Sequence, residues 1–344
     1  MRVVVCGTGF GRYYVQAVRS MPGCELAGIL ARGSEFSRRY ARELGVPFLT
    51  SAEQLPDGVD LACVVVGSAV SGGCGSELAR SLLSQGIPVL QEHPVLPDEL
   101  AATVRVAAEH GVWYQLNPFY RHLAPIRRFL AAAELVRPAL FVDAAAPLQL
   151  LYPLIDLLGR ALGGLRPWTL TALPADGGPY RLVHGMLAGV PLTLRVQNQL
   201  HPGDPDNHAL MWHRITIGAE AGALTLADTH GPVLWSTRLH APRDADHRLR
   251  HTGPGTGHLD LPATVVLPGS QPPATLREIF AGLWPAGIVA AIEDFRARTG
   301  GSVLDHARHD LAASRVWQDI TGQLGRPELI NPAPPRPLDL VALL

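Results

Sequence analysis

At 344 residues the chain exceeds the length at which one hydrophobic core stops growing, so two domains are expected. A net charge of -1 with 47% hydrophobic residues excludes an extended basic surface for nucleic acid and a charged disordered chain, which favours a small-molecule partner. All 29 basic side chains are arginine; with no lysine anywhere, any proton donor must be another group.

Residues 1–6 (Met-Arg-Val-Val-Val-Cys) read as a strand, not a secretory signal, because the apolar run stops at Gly7 without a cleavage-type flank. No apolar run reaches the roughly 18 residues that span a bilayer, so a cytoplasmic chain with no membrane partner is expected. Up to residue 118, apolar runs at 3–6, 26–30, 61–66, 89–91 and 113–116 alternate with helical stretches at 13–20, 34–44, 76–85 and 98–110. This alternation predicts an α/β domain over 1–118, a Rossmann-type doubly wound parallel sheet. Residues 119–344 read as an α+β domain. Helical segments near 122–135 and 149–162 precede strand patterns at 180–188, 191–200, 209–218, 223–226 and 233–237, which suggest a large, mostly antiparallel sheet. Residues 241–273 read as a long surface loop, 274–298 and 303–323 as helices, and the Pro-rich tail after 326 as extended chain.

The first strand runs into Gly7-Thr8-Gly9-Phe10-Gly11 and then a helix. Gly7 permits the tight turn and Gly9 a close approach of a pyrophosphate, whose charge meets the helix N-terminal N–H groups. Arg12 stands where a third glycine or alanine is usual, with Gly11 just before it. At the end of the second strand an acid would bind the ribose hydroxyl of NAD. This chain instead has Arg32-Gly33-Ser34, then Ser37 and Arg38, a set suited to a 2′-phosphate, so the expected cofactor is NADPH.

Ligands of such sheets bind at the carboxyl ends of the strands. Gly67-Ser68, Glu92-His93-Pro94 and Asn117-Pro118-Phe119-Tyr120 all follow strand ends, so His93 and Tyr120 are expected to converge near a nicotinamide, beside Gly67, Ser68 and Glu92. Histidine and tyrosine, with reference pKa values of about 6.5 and about 10, are both candidate acids. Glu92 either faces the imidazole and favours its charged form or points away. Which of His93 and Tyr120 gives up a proton stays open.

The order Gly-Thr-x-Phe-Gly-x-x-Tyr (7–14), Leu-Ala-Gly-Ile-Leu-Ala-Arg-Gly-Ser (26–34), Gly72-Gly73-x-Gly75, Leu90-Gln91-Glu92-His93-Pro94, Asn117-x-x-Tyr120 and Arg166-Pro167-Trp168 resembles the thiazolinyl imine reductases. These belong to the glucose-fructose oxidoreductase/inositol dehydrogenase/MocA (Gfo/Idh/MocA) superfamily, and the resemblance covers at least residues 2–168. It implies NADPH-dependent reduction of a thiazoline C=N to a thiazolidine, on an intermediate thioester-linked to a nonribosomal peptide synthetase carrier domain in siderophore assembly. It also implies His93 and Tyr120 as catalytic residues and a homodimer through the large sheet. Sugar-oxidising members of the superfamily carry a lysine at the His93 position and, three residues before an aspartate, a histidine where this chain has Pro153 ahead of Asp156. Both replacements weigh against polyol oxidation. Two alternatives remain: an oxidoreductase of the same superfamily acting on a free carbonyl or sugar, and a non-catalytic NADP-binding sensor.

Cys6 and Cys63 lie in apolar strand runs and read as buried fillers. His201, His208, His213, His230, His240, His247, His251 and His258 lack ligand-like spacing and read as solvated loop residues, so no metal is expected.

Overall fold

The computed structural model describes residues 1–67, 74–174, 177–268, 274–298 and 302–338. Six strands form the first sheet: β1 (Arg2–Cys6), β2 (Glu25–Leu30), β3 (Phe48–Leu49), β4 (Leu61–Val64), β5 (Val89–Glu92) and β6 (Tyr114–Asn117). All pair in parallel, in the order β3-β2-β1-β4-β5-β6. β4 is buried throughout and β1 from Val3 to Cys6, which is why these segments read as unbroken apolar runs. The connecting helices are α1 (Gly11–Ser20), α2 (Glu35–Leu44), α3 (Gly75–Ser84) and α4 (Pro97–Glu109). Strand order reverses between β1 and β4, and their carboxyl ends lie side by side there.

After α5 (Ala124–Leu135), the chain lays down β7 (Phe141–Pro147), then α6 (Leu151–Leu162), β8 (Trp168–Ala172), β9 (Tyr180–Leu187) and β10 (Val190–Gln197). A short β11 (Gln199–Leu200) follows, then β12 (Arg214–Ala219), β13 (Gly222–Leu226), β14 (Val233–Thr237) and β15 (Thr264–Val266). The eight-stranded sheet runs β15-β14-β13-β12-β7-β10-β9-β8, antiparallel except where β10 pairs with β7. α5 packs on β13 and β14 and α6 on β7, covering one face. On the other face a polar row, Thr216, Asp143, Thr193, His184 and Thr171, crosses five strands in register.

The C-terminal part returns to the first sheet. A capping box at Thr275 and Glu278 opens α7 (Leu276–Glu278), which passes through a π-helical turn (Ile279–Leu283) into α8 (Trp284–Arg298). α8 packs on α1, while α9 (Val303–Leu324) packs on α4, α6, β6 and β8. β16 (Glu328–Leu329) then pairs with β11.

Several elements depart from the sequence reading. β3 is only two residues long, and β7 is alanine-rich, a composition with little strand preference of its own that its neighbours hold in register. β8 also carried no clear signal. The run at 191–200 breaks after Gln197, and β12 begins at Arg214 rather than 209 because Trp212 and His213 turn inward onto Trp284 and Tyr120. The long loop contains β15 and a 3₁₀ turn at Gly257–Asp260. The described cysteines are free, with Cys6 and Cys63 buried and the Cys6 thiol pushed up to about 12 by burial.

Candidate active site

β1 leads straight into the glycine turn. Gly7 has φ +100°, and a methyl carbon there would collide with the carbonyl oxygen of Val65, so only glycine fits. At Gly9 no heavy atom lies within 4 Å of where a Cβ would stand, leaving the open approach a pyrophosphate needs at the N-terminus of α1. A Cβ at Gly11 would touch Val5 and Val65 at 3.4 and 3.7 Å; Gly11, not Arg12, is therefore the position that sets helix against strand. The residues present fit a dinucleotide. Phe10 leaves the turn for an aromatic cluster with Tyr13, Phe119 and Trp284 at centroid distances of 5.1, 5.6 and 5.6 Å.

The end of β2 is tied to this turn by hydroxyls. Thr8 Oγ1 lies 2.7 Å from Ser37 Oγ, which lies 2.8 Å from Ser34 Oγ, and Ser34 caps α2 by accepting from the Ser37 N–H. Arg32, two residues before Ser34, is exposed. Arg38 Nε donates to Gly33 O at 3.1 Å, and its guanidinium sits 5.1 Å from the Phe48 ring. Glu35, in the first turn of α2, is the acid of this segment. Gly67 is exposed after β4. Ser68, with Gly72 and Gly73, lies outside the described residues.

β5 and β6 end side by side with Glu92 paired to Asn117, and His93 follows immediately. His93 Nδ1 stands 2.6 Å from Glu92 Oε1 and 3.2 Å from the carbonyl oxygen of Asn117. Both neighbours are acceptors, so Nδ1 carries the hydrogen and Nε2 is the nitrogen left for a ligand. The other Glu92 oxygen accepts from the Tyr14 hydroxyl, which in turn accepts from Asn117 Nδ2 at 2.6 Å. Burial and then the Glu92 carboxylate hold the Tyr14 phenol well above its ordinary value, so it stays a donor.

The imidazole stacks on Tyr152 of α6 at 5.7 Å and meets the Tyr120 ring edge-on at 6.2 Å. Tyr120, in the 3₁₀ turn Phe119–His122, stands between His93 and His213, whose ring is 5.1 Å away. Burial, reinforced by Glu92, pushes its phenol up, so Tyr120 is a neutral hydroxyl. The structure thus brings His93, Glu92 and Tyr120 together.

Two expectations need correction. His213 and His230 are not solvated: His213 is fully buried, its ring between Thr229 Oγ1 at 3.0 Å and the Leu150 carbonyl at 3.1 Å, and burial lowers it to about 4. His230 packs on Trp212 and accepts from Trp284 Nε1 at 3.3 Å. The apolar run Ala209-Leu210-Met211-Trp212 was the signal for this burial. At the other end, α6 presents Tyr152, one residue before Pro153, to His93. Asp156 belongs elsewhere: burial would raise its carboxyl, but Arg160 and His309, each 2.9 Å away, and Arg121 at 3.7 Å hold it well below the usual carboxylate range. Among the described residues no cluster suited to a metal ion occurs and no helix is long and apolar enough to cross a membrane.

Residues 1–117 match the family model described as an oxidoreductase family with an NAD-binding Rossmann fold, and residues 137–236 match the C-terminal domain of Irp3-like thiazolinyl imine reductases. The chain belongs to the Gfo/Idh/MocA oxidoreductases. No curated protein matches it. An oxidoreductase of this fold from Agrobacterium radiobacter, solved with NAD+, L-tartaric acid and magnesium, is 12% identical with a TM-score of 0.67 over 92% of this chain and 94% of that one. The UDP-N-acetylglucosamine 3-dehydrogenase of Acidithiobacillus ferrooxidans is 16% identical, with a TM-score of 0.64 over 94% and 99%. A Gfo/Idh/MocA family oxidoreductase from Vibrio cholerae gives 15% and 0.62, over 94% and 99%. At these identities the likeness establishes a shared fold. Tyr14, Asn117, Tyr152 and His213 complete the site of this Gfo/Idh/MocA protein; the first two stood in the sequence motifs, whereas nothing in the sequence singled out Tyr152.

Proposed function

We propose that this oxidoreductase uses NADPH to reduce a thiazoline C=N to a thiazolidine, on a siderophore-type intermediate held as a thioester by a nonribosomal peptide synthetase carrier domain. The observation that carries the reading is the Glu92–His93 pair under Tyr120, at the position where sugar-oxidising relatives have a lysine. The match of residues 137–236 to thiazolinyl imine reductases supports the same substrate class.

Gly7, Thr8, Gly9, Phe10 and Gly11 would hold the pyrophosphate, and Arg32, Gly33, Ser34, Ser37 and Arg38 the 2′-phosphate, with Gly67, Ser68, Glu92 and His93 beside the nicotinamide. The bound coenzyme supplies a hydride. As the C=N is reduced, negative charge builds on the substrate nitrogen, and a donor placed there lowers the barrier. His93 Nε2 and the Tyr120 hydroxyl are the two candidate donors, with Glu92 fixing the imidazole through Nδ1. The open face of the eight-stranded sheet would pack on a second copy of the chain.

Single-turnover NADPH oxidation with a carrier-bound thiazoline, a small thiazoline thioester and a set of sugars tests the reading. The thiazolines are reduced and the sugars left untouched; His93→Ala or Tyr120→Phe, whichever removes the donor, slows the step by roughly 10²- to 10⁴-fold. Turnover of a sugar alone, or near wild-type rates in both variants, would overturn it.

A further inference from the structure

A cavity of about 680 Å³ opens among α5, α6, α8 and α9, and none of its lining residues belongs to the His93 site. Four guanidinium groups line it: Arg121, Arg127, Arg160 and Arg298. Against them stand Asp294, 2.7 Å from Arg298, and the buried Asp156 behind Arg160. Asp310, also buried nearby, has its carboxyl pushed up by burial. Among the described residues the cations outnumber the carboxylates whichever form Asp310 takes.

Just behind the wall lie polar nitrogens that make no hydrogen bond. Trp113 Nε1, on a side chain more than nine-tenths buried, has no hydrogen-bond partner, and neither has His306 Nε2, in contact with the Trp113 ring; Arg121 Nη1 makes no hydrogen bond either and faces Asp156 Oδ1 only as an ion pair at 3.7 Å. Buried polar groups in folded proteins are almost always partnered, and with four guanidinium groups lining the space the wall favours an acceptor-rich anion. The histidines sense the same field: burial and then Arg121 lower His122 to about 3 and His306 to about 4. Guanidinium forks match phosphate oxygens bidentately. The cavity is too large for a bare phosphate, and Trp113, Leu130 and Ala297 give it an apolar side.

We propose that this cavity binds the phosphate ester of a small molecule, its phosphate on Arg121, Arg127 and Arg298 and its apolar part against Trp113 and Leu130.

Calorimetric titration of the full chain with phenyl phosphate and with inorganic phosphate, both in saturating NADPH, tests this. The ester binds saturably and more tightly than inorganic phosphate. The double variant Arg127→Ala/Arg298→Ala, whose two side chains are exposed, weakens ester binding about tenfold or more while leaving the circular dichroism spectrum and NADPH affinity unchanged. No saturable binding, or the same affinity in the double variant, overturns the site; inorganic phosphate binding as tightly as the ester overturns the ester assignment.

Discussion

The imidazole of His93 and the carboxylate of Glu92 are sequence neighbours that face each other at 2.6 Å. Consecutive side chains of a strand point to opposite faces, but β5 ends at Glu92, and His93 is released from that alternation. The consequence is a fixed tautomer, because Nδ1 is committed to the carboxylate. Glu92→Gln keeps the shape but offers an amide that can donate, so the ring loses its enforced orientation. Turnover is expected to fall roughly 10- to 1,000-fold with little change in the Michaelis constant for NADPH, read by steady-state kinetics. An unchanged kcat would remove the orienting role.

Arg32 is exposed two residues before Ser34, whose hydroxyl joins the Ser37–Thr8 chain where the 2′-phosphate is proposed to bind. Arg32→Ala is expected to raise the NADPH Michaelis constant about tenfold or more and leave that for NADH nearly unaltered, since only one coenzyme carries the extra charge. Equal effects on both would assign Arg32 to the solvent.

His213 is neutral in the fold because burial lowers it from 6.5 to about 4. Its folded value lies below the unfolded one, so its contribution is complete above about pH 6.5 and is lost as pH falls toward about 4, on the order of 3 kcal/mol across that window. His122 and His306, lowered in the same direction, add to the loss. Urea midpoints measured between pH 7 and 4.5 check this, and His213→Asn should flatten the slope.

Asp156 is the buried hub between Arg121, Arg160 and His309. Asp156→Ala strands Arg121 in the interior and is expected to cost about 3–5 kcal/mol of stability in denaturant titrations. With its folded value depressed, the wild-type contribution is present above about pH 4 and vanishes only in stronger acid.

The nucleotide-binding half was readable because its strands are buried on both faces and its glycine turn has one structural use, as Gly7 against Val65 illustrates. The convergence of His93 and Tyr120 followed from where parallel strands end. Tyr152 and His213 escaped notice for a physical reason: each reaches the site through tertiary packing, Tyr152 from a helix with no local mark and His213 from the end of an apolar run, 209–212, that reads as strand. The alanines of β7 show the same limit, since pairing rather than preference makes them a strand.

α8 lies on α1 and α9 on α4 and β6, so the last quarter of the chain clamps the first. A fragment ending near residue 118 would leave those helix faces bare to water and prone to self-association. Two helices of the first sheet's layer therefore take their cover from the far end of the chain, and the stability of the one is tied to the presence of the other.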